Sequence, residues 1–215
     1  MANPTGDPTT LDEYLDWVST PSDSLLRRLE DEARAAGVPI VGRRTARLIE
    51  LFARVVQPEL IVELGTATGY SGIRMLRGWP QAHLITFEVD EDRATQARRN
   101  FDLAGYSEQA DVRVENAVEG LERLSPASAG IVFNDLLNGL RDEHRVERCF
   151  HAALNVLKHG GLLIADNALA GGDVLTGDTH QGRCVRRWNE LVLGDPSLTA
   201  TIVPIEDGLS IAVRK

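Results

Sequence analysis

The chain predicts an α/β fold: a seven-stranded, mostly parallel sheet with helices on both faces and a C-terminal antiparallel hairpin. Three observations carry that expectation. Short apolar, partly β-branched runs alternate with segments of helical period from residue 60 onward, the pattern of a parallel sheet. The segment Glu63-Leu-Gly-Thr-Ala-Thr-Gly-Tyr-Ser71 sets an acid and two glycines where the first of those runs turns into a helix. The last two β-rich runs are separated only by Ile205-Glu-Asp-Gly208, too short for a helical crossover, so they should pair antiparallel.

Residues 1–10 are rich in Pro, Thr and Gly and are expected to be disordered, leaving 11–215 as a single domain. Leu11, Tyr14, Leu15 and Val18 then recur at helical spacing, and a second helix is expected from about Ser22 to Ala36, started by Pro21-Ser22-Asp23 and ended by Gly37. A third runs from about Arg43 to Val56, before Pro58. These helices, within 11–57, precede the sheet. Leu60–Leu64 is the first strand, and its apolar run fits a strand covered on both faces. A helix from Ser71, a strand His83–Glu88, a helix Asp92–Ala104, a strand Val112–Glu115 and a short helix near Ala117–Leu124 follow. Strand Gly130–Asn134, helix Asp142–Leu157, strand Gly161–Ala165 and a helix from about Gly182 to Val192 complete the parallel part. Thr199–Pro204 and Leu209–Val213 form the hairpin.

The bulk numbers narrow the class. With 215 residues, 43% hydrophobic and 26% charged, the chain fits one domain with a sizeable core and is neither largely disordered nor fibrous. A net charge of −9 argues against nucleic-acid binding through a broad basic face. The doublets Arg43-Arg44, Arg98-Arg99 and Arg186-Arg187 read as solvated helix faces. Cys149 and Cys184 form no CxxC or Cys/His cluster, so neither a disulfide framework nor a zinc site is suggested, and a reducing cytoplasm is the expected compartment. No apolar run approaches the ~20 residues of a membrane span, and the N-terminus lacks a basic-then-apolar signal.

Three stations carry chemistry. In the first, Gly65 lets backbone approach a ligand closely, Gly69 permits a turn that a Cβ would obstruct, and Ser71 is a donor for a carboxylate. A second acid, Glu88, ends the next strand, where a carboxylate can accept the ribose hydroxyls of a nucleoside; the bland alternative is that it caps the following helix. Asn116-Ala117, after the third strand, is placed to meet the adenine. The loop lacks the tight GxGxxG of dinucleotide binders and a Walker lysine, so S-adenosylmethionine, a nucleoside without phosphate, fits it better than a pyrophosphate. The second station is Asp135, directly after Ile131-Val-Phe-Asn134, and the third is Asp166-Asn167, directly after Leu162-Leu-Ile-Ala165. Two carboxylates and an amide oxygen there make an all-oxygen set suited to Mg²⁺ or another hard divalent cation, whereas taken singly each would read as a cap or turn residue.

The phrases Val62-Glu-Leu-Gly-Thr-Ala-Thr-Gly-Tyr-Ser71, Phe87-Glu-Val-Asp90, Ala97-Arg-Arg-Asn-Phe-Asp-Leu-Ala-Gly105, Leu157-Lys-His-Gly-Gly-Leu-Leu-Ile-Ala-Asp-Asn167 and Pro204-Ile-Glu-Asp-Gly-Leu209 together resemble the cation-dependent O-methyltransferase family that includes catechol and caffeoyl-CoA O-methyltransferases. The resemblance runs from about Tyr14 to Lys215. It implies a Rossmann-like class I methyltransferase fold, with S-adenosylmethionine bound by Glu63, Gly65, Thr66, Gly69, Tyr70, Ser71, Glu88, Val89, Ala117 and Asp135. It implies a metal at Asp135, Asp166 and Asn167, and N-terminal helices that cover the substrate and assist a homodimer. The implied reaction is Mg²⁺-dependent methylation of a small catechol-like or otherwise vicinally oxygenated molecule, of the kind found in secondary metabolism.

One departure bears on catalysis. Family members usually carry Asp-Ala-Asp-Lys at the second station, with the lysine assigned as the base; here the stretch is Asp135-Leu-Leu-Asn138, and an amide accepts no proton near neutral pH. The tryptophan that follows Asp-Asn in plant members is absent as well. Three readings follow. Metal charge acidifies the hydroxyl while Asn138 orients the acceptor; or His180 or His144 serves as base; or the domain binds S-adenosylmethionine for a non-methylating role. Methylation of a tRNA hydroxyuridine is a further alternative, against which the acidic chain counts.

Overall fold

The computed structural model describes residues 7–20, 23–140 and 142–215. Three helices come first: α1 (Leu11–Ser19), α2 (Ser24–Ala36) and α3 (Arg43–Val56). Thr10 starts α1 through a capping box, taking the Glu13 N–H while the Glu13 carboxylate takes the N–H groups of Thr9 and Thr10. The expected disordered segment thus already holds a helix start at its end, and residues 1–6 lie outside the described residues. Asp23 caps α2 through the Leu26 N–H, and Gly37 ends it in the left-handed region; Pro21 and Ser22, expected to share that start, are outside the described residues.

Strands and helices then alternate as β1 (Leu60–Leu64), α4 (Tyr70–Gly78), β2 (His83–Glu88), α5 (Glu91–Leu103), β3 (Ala110–Val114), α6 (Ala117–Glu122), β4 (Ala129–Asn134), α7 (Glu143–Val156), β5 (Leu157–Ala165) and α8 (His180–Gly194). The chain closes with β6 (Leu198–Val203) and β7 (Leu209–Arg214). Most expected boundaries fall within two residues of these. The exception is β5, which starts at Leu157 because Leu157 pairs with Ala129 ahead of the register shift at Gly130. The local signal there was hidden by Lys158-His-Gly-Gly161.

One seven-stranded sheet has the order β3-β2-β1-β4-β5-β7-β6, with β7 antiparallel to both neighbours. Alternating residues feed two cores. Ile61, Ile131, Phe133 and Ile164 point to a face covered by α2 to α5 through Leu26, Ile49, Ile73 and Phe101. Val62, Val132 and Leu163 point to the other, covered by α6 to α8 through Leu121, Phe150 and Trp188. Helix α1 buries none of its residues and leaves Leu11, Tyr14 and Val18 exposed.

The order places a functional crevice before any side chain is considered. From β1 the chain winds outward through β2 and β3, then returns to β4 on the other flank of β1 and winds outward again. The carboxyl ends of β1 and β4 are therefore the switch point at which open α/β sheets bind ligands. Parallel register finishes the job: Leu64 is opposite Asn134, and Asn134 is opposite Ala165, so Asp135 and Asp166 emerge side by side.

Candidate active site

The loop after β1 is shaped by its neighbours. Gly65 has φ 97°, and a Cβ there would lie 3.1 Å from both the Asp135 carbonyl oxygen and the Leu136 side chain. Gly69, at φ 84°, starts α4 against the ring of Phe101. Glycine is thus needed for backbone conformation and because the β1 and β4 loops meet at the switch point.

Glu63 is fully buried, and each of its oxygens receives a hydroxyl: Ser71 Oγ at 2.6 Å and Thr86 Oγ1 at 2.7 Å. Thr86 is the β2 residue in register with Glu63, and its oxygen also meets Thr66 Oγ1 at 2.6 Å. Burial raises the Glu63 carboxyl to about 7, and the nearby Glu88 adds to the rise against the two hydroxyls that oppose it. Ser71, expected to face a ligand carboxylate, thus gives its hydrogen to Glu63. Tyr70 is turned away from the crevice altogether: its ring is buried and its hydroxyl donates to Glu30 at 2.6 Å. Arg43 pairs with the same Glu30 at 2.8 Å, tying α2, α3 and α4 together.

Glu88 accepts three backbone N–H groups, from Ala67, Val89 and Asp90, at 3.0, 2.9 and 3.1 Å. Helix α5 is capped by Asp90 instead, which accepts from Asp92 and Arg93, so capping does not account for Glu88. Glu88 lines a slot of about 260 Å³ together with Gly65, Val89, Ala117, Leu136 and Leu140, a largely apolar wall of a size for a nucleoside. Asn116 sits at the same slot, its side-chain oxygen committed to the Val118 and Glu119 N–H groups at the start of α6.

The acids after β4 and β5 contrast with this. Asp135 donates its backbone N–H to Leu64 and Asp166 donates its own to Asn134, fixing both at the sheet end. Burial, then Asp166, then Glu63 hold the Asp135 carboxyl well above its usual range, and burial raises Asp166 to about 6 with Glu206 and Asp207 adding to it. Asp166 Oδ1 is buried without a hydrogen-bond partner among the described residues. Beside it, Asn167 has φ 60° and its side-chain oxygen accepts from Asn138 Nδ2 at 2.8 Å. Among the described residues no three His, Cys, Asp or Glu side chains gather as a metal cluster, so a third side-chain ligand of a cation here would be an amide oxygen, and Asn167, the residue next to Asp166, carries one. Two crowded carboxylates, one with an unpaired buried oxygen, plus an amide oxygen fit a hard divalent cation.

A second cavity of about 420 Å³ adjoins Asp166 and Asn167 and is completed by Asp16, Ile40, Arg44 and Glu206. Glu206 was legible only as a turn residue. The fold uses its carboxylate to accept the Arg44 and Thr45 N–H groups at the start of α3, while Asp207 accepts from Gly171 at 2.7 Å. The arginine doublets are mostly engaged rather than solvated: Arg44 pairs with Asp12 and Asp16, Arg98 with the Val112 carbonyl, Arg186 with the Val174 and Leu175 carbonyls and Arg187 with Glu147. Neither histidine is gathered into the acid cluster. His144 lines a surface hollow with Glu122, Arg148 and His151, and His180 is exposed at the first position of α8. The residue from α8 that reaches Asn138 is Gln181.

Comparison with known proteins places this geometry. The family profile described as O-methyltransferase matches residues 19–215. A catechol O-methyltransferase of Niastella koreensis is 31% identical over 96% of this chain and 97% of its own. The O-methyltransferase of Bacillus cereus, solved with S-adenosylhomocysteine, superposes with a TM-score of 0.82 at 27% identity, covering 95% of this chain and 97% of that one. TomG, an O-methyltransferase of Streptomyces achromogenes solved with S-adenosylmethionine, does so with a TM-score of 0.80 at 26% identity, covering 95% and 96%.

Proposed function

The chain belongs to the O-methyltransferase family, and from that premise we propose that it moves the methyl group of S-adenosylmethionine onto a hydroxyl of a small catechol-like molecule, with Mg²⁺ or a similar cation held by Asp135, Asp166 and Asn167. The observation that carries the metal is the unpaired, buried Asp166 Oδ1 beside a second raised carboxyl, next to a nucleoside-sized slot. Such a cation supplies charge that orients neighbouring oxygens and lowers a hydroxyl's pKa.

The chain's own residues divide the remaining work. Glu88, held by three N–H groups, accepts the ribose hydroxyls, while Val89, Ala117, Leu136 and Leu140 enclose the adenine. The Gly65–Ser71 loop carries the amino-acid end. With the cofactor bound, the O–C bond would form as the C–S bond breaks, S-adenosylhomocysteine would leave and the proton of the acidified hydroxyl would pass to solvent, Asn138 being no base near neutral pH. The cavity beside Asp166 takes the acceptor, and α1, α3 and the segment joining α2 to α3 supply part of its wall through Asp16, Arg44 and Ile40. Incubation with methyl-labelled cofactor, Mg²⁺ and a panel of catechols should yield labelled product, and turnover unaffected by exhaustive chelation would remove the metal from the reaction.

Among the described residues, the nine-residue α1 leaves Leu11 (73% exposed), Tyr14 and Val18 exposed in a single copy. A homodimer covers that stripe, and a scattering mass equal to one chain contradicts it. No helix among the described residues is long and apolar enough to cross a membrane. Two free, buried cysteines suit a cytoplasmic setting.

A further inference from the structure

We propose that Asn138 and Gln181 are positioning residues: a chain of amides from α8 that holds the Asn167 side-chain oxygen toward the two aspartates. The position at which the resemblance leads one to expect a base thus orients a ligand instead. This rests on the reading of Asp135, Asp166 and Asn167 as a cation site.

Asn138 lies on the single 3₁₀ turn Leu137–Gly139 that follows β4, and Asn167 on the loop that follows β5. Gln181 is the second residue of α8. Gln181 Nε2 donates to Asn138 Oδ1, and Asn138 Nδ2 donates to Asn167 Oδ1 at 2.8 Å, so three amides run in series with one direction of donation. The last acceptor in the series, Asn167 Oδ1, has two lone pairs, and one remains for a cation. The ends are fixed. The Asn167 backbone is in the left-handed region, and its carbonyl accepts from Ala170 at 3.2 Å. The start of α8 is set by Thr179, which caps it through the Gly182 N–H, and by Asp173, which accepts from Asp178 and Thr179.

The chemistry of the residue at 138 follows from this arrangement. An amide is both donor and acceptor, so Asn138 can receive Gln181 and pass a donor to Asn167. Groups of this kind, one step removed from the ligand, typically alter metal affinity about 10- to 100-fold when removed, because they fix the orientation of the ligating atom.

Mn²⁺ titration of the full chain, followed by electron paramagnetic resonance, tests the chain of amides without reference to turnover. Asn138→Ala and Gln181→Ala should each weaken Mn²⁺ binding about tenfold or more while S-adenosylhomocysteine affinity and melting temperature stay near wild type. The double variant should lose little beyond the worse single one, because the links act in series. Mn²⁺ affinities within twofold of wild type in both single variants overturn the inference and leave the cation site standing. A wild-type chain that binds no Mn²⁺ overturns both. Equal weakening of Mn²⁺ and S-adenosylhomocysteine in both variants marks general damage and likewise overturns it.

Discussion

The two halves of the crevice are built on opposite principles. On the β1–β2 side every carboxyl oxygen is answered from within the chain: Glu63 by two hydroxyls, Glu88 by three backbone N–H groups. On the β4–β5 side acceptors outnumber donors. Asp166 adds to the difficulty of ionising Asp135, Glu206 and Asp207 add to that of Asp166, Asp166 keeps a buried oxygen unpaired, and the amide that helps Asn167 is itself held from α8. Buried charge is tolerated only when it is paired or coordinated. On the proposed function, the first half would be a preformed receptor for the nucleoside end of the cofactor, and the second a set of ligands that a cation would complete.

The largest test of that contrast is Asp166→Asn, which keeps size and removes charge from one half only. Methyl transfer under saturating Mg²⁺ should fall about 10³-fold, roughly 4 kcal/mol of barrier, while calorimetric binding of S-adenosylhomocysteine changes little. Parallel loss of both would mean that the halves are not separable.

Next comes pH. Folding raises Glu63 from 4.5 to about 7, so the folded state prefers its protonated form; the associated stability is fully present below the unfolded value and is lost as pH rises through about 7. Asp166, raised to about 6, acts with the same sign. Ligand-free protein should consequently melt at a higher temperature at pH 5.5 than at pH 8.5, with roughly 2 kcal/mol of the difference belonging to Glu63. Glu63→Gln should remove that share, and Mg²⁺ should remove the share of the aspartates. A melting temperature that rises across the interval would contradict both.

The smallest effect concerns Glu88→Gln, which turns one acceptor into a donor facing backbone N–H groups. S-adenosylmethionine affinity should drop about tenfold, within the range for hydrogen bonds to a charged group, while Mn²⁺ affinity is unchanged. A shift in Mn²⁺ affinity of similar size would show that the halves communicate.

Legibility in the sequence follows the same division. Glu63, Glu88, Asp135 and Asp166 could be found because each stands at or just beyond the end of a short apolar strand, and the sheet rule says ligands meet there. The partners that give them their character could not. Thr86 is answerable to Glu63 only through strand register, Gln181 lies 43 residues from Asn138, and Glu206 lies 162 from Arg44. Tyr70 shows the converse, a residue of the right loop whose side chain leaves for Glu30 on α2.

The sequence by itself determined the alternation of strands and helices, the closing hairpin and the loops that carry acids, because period, glycine and strand-end position are local properties of the chain. Only the tertiary structure decided which acid is quiet and which is frustrated. Burial, register and the arrival of α8 set how many donors reach each oxygen, and those contacts join residues that no local pattern connects.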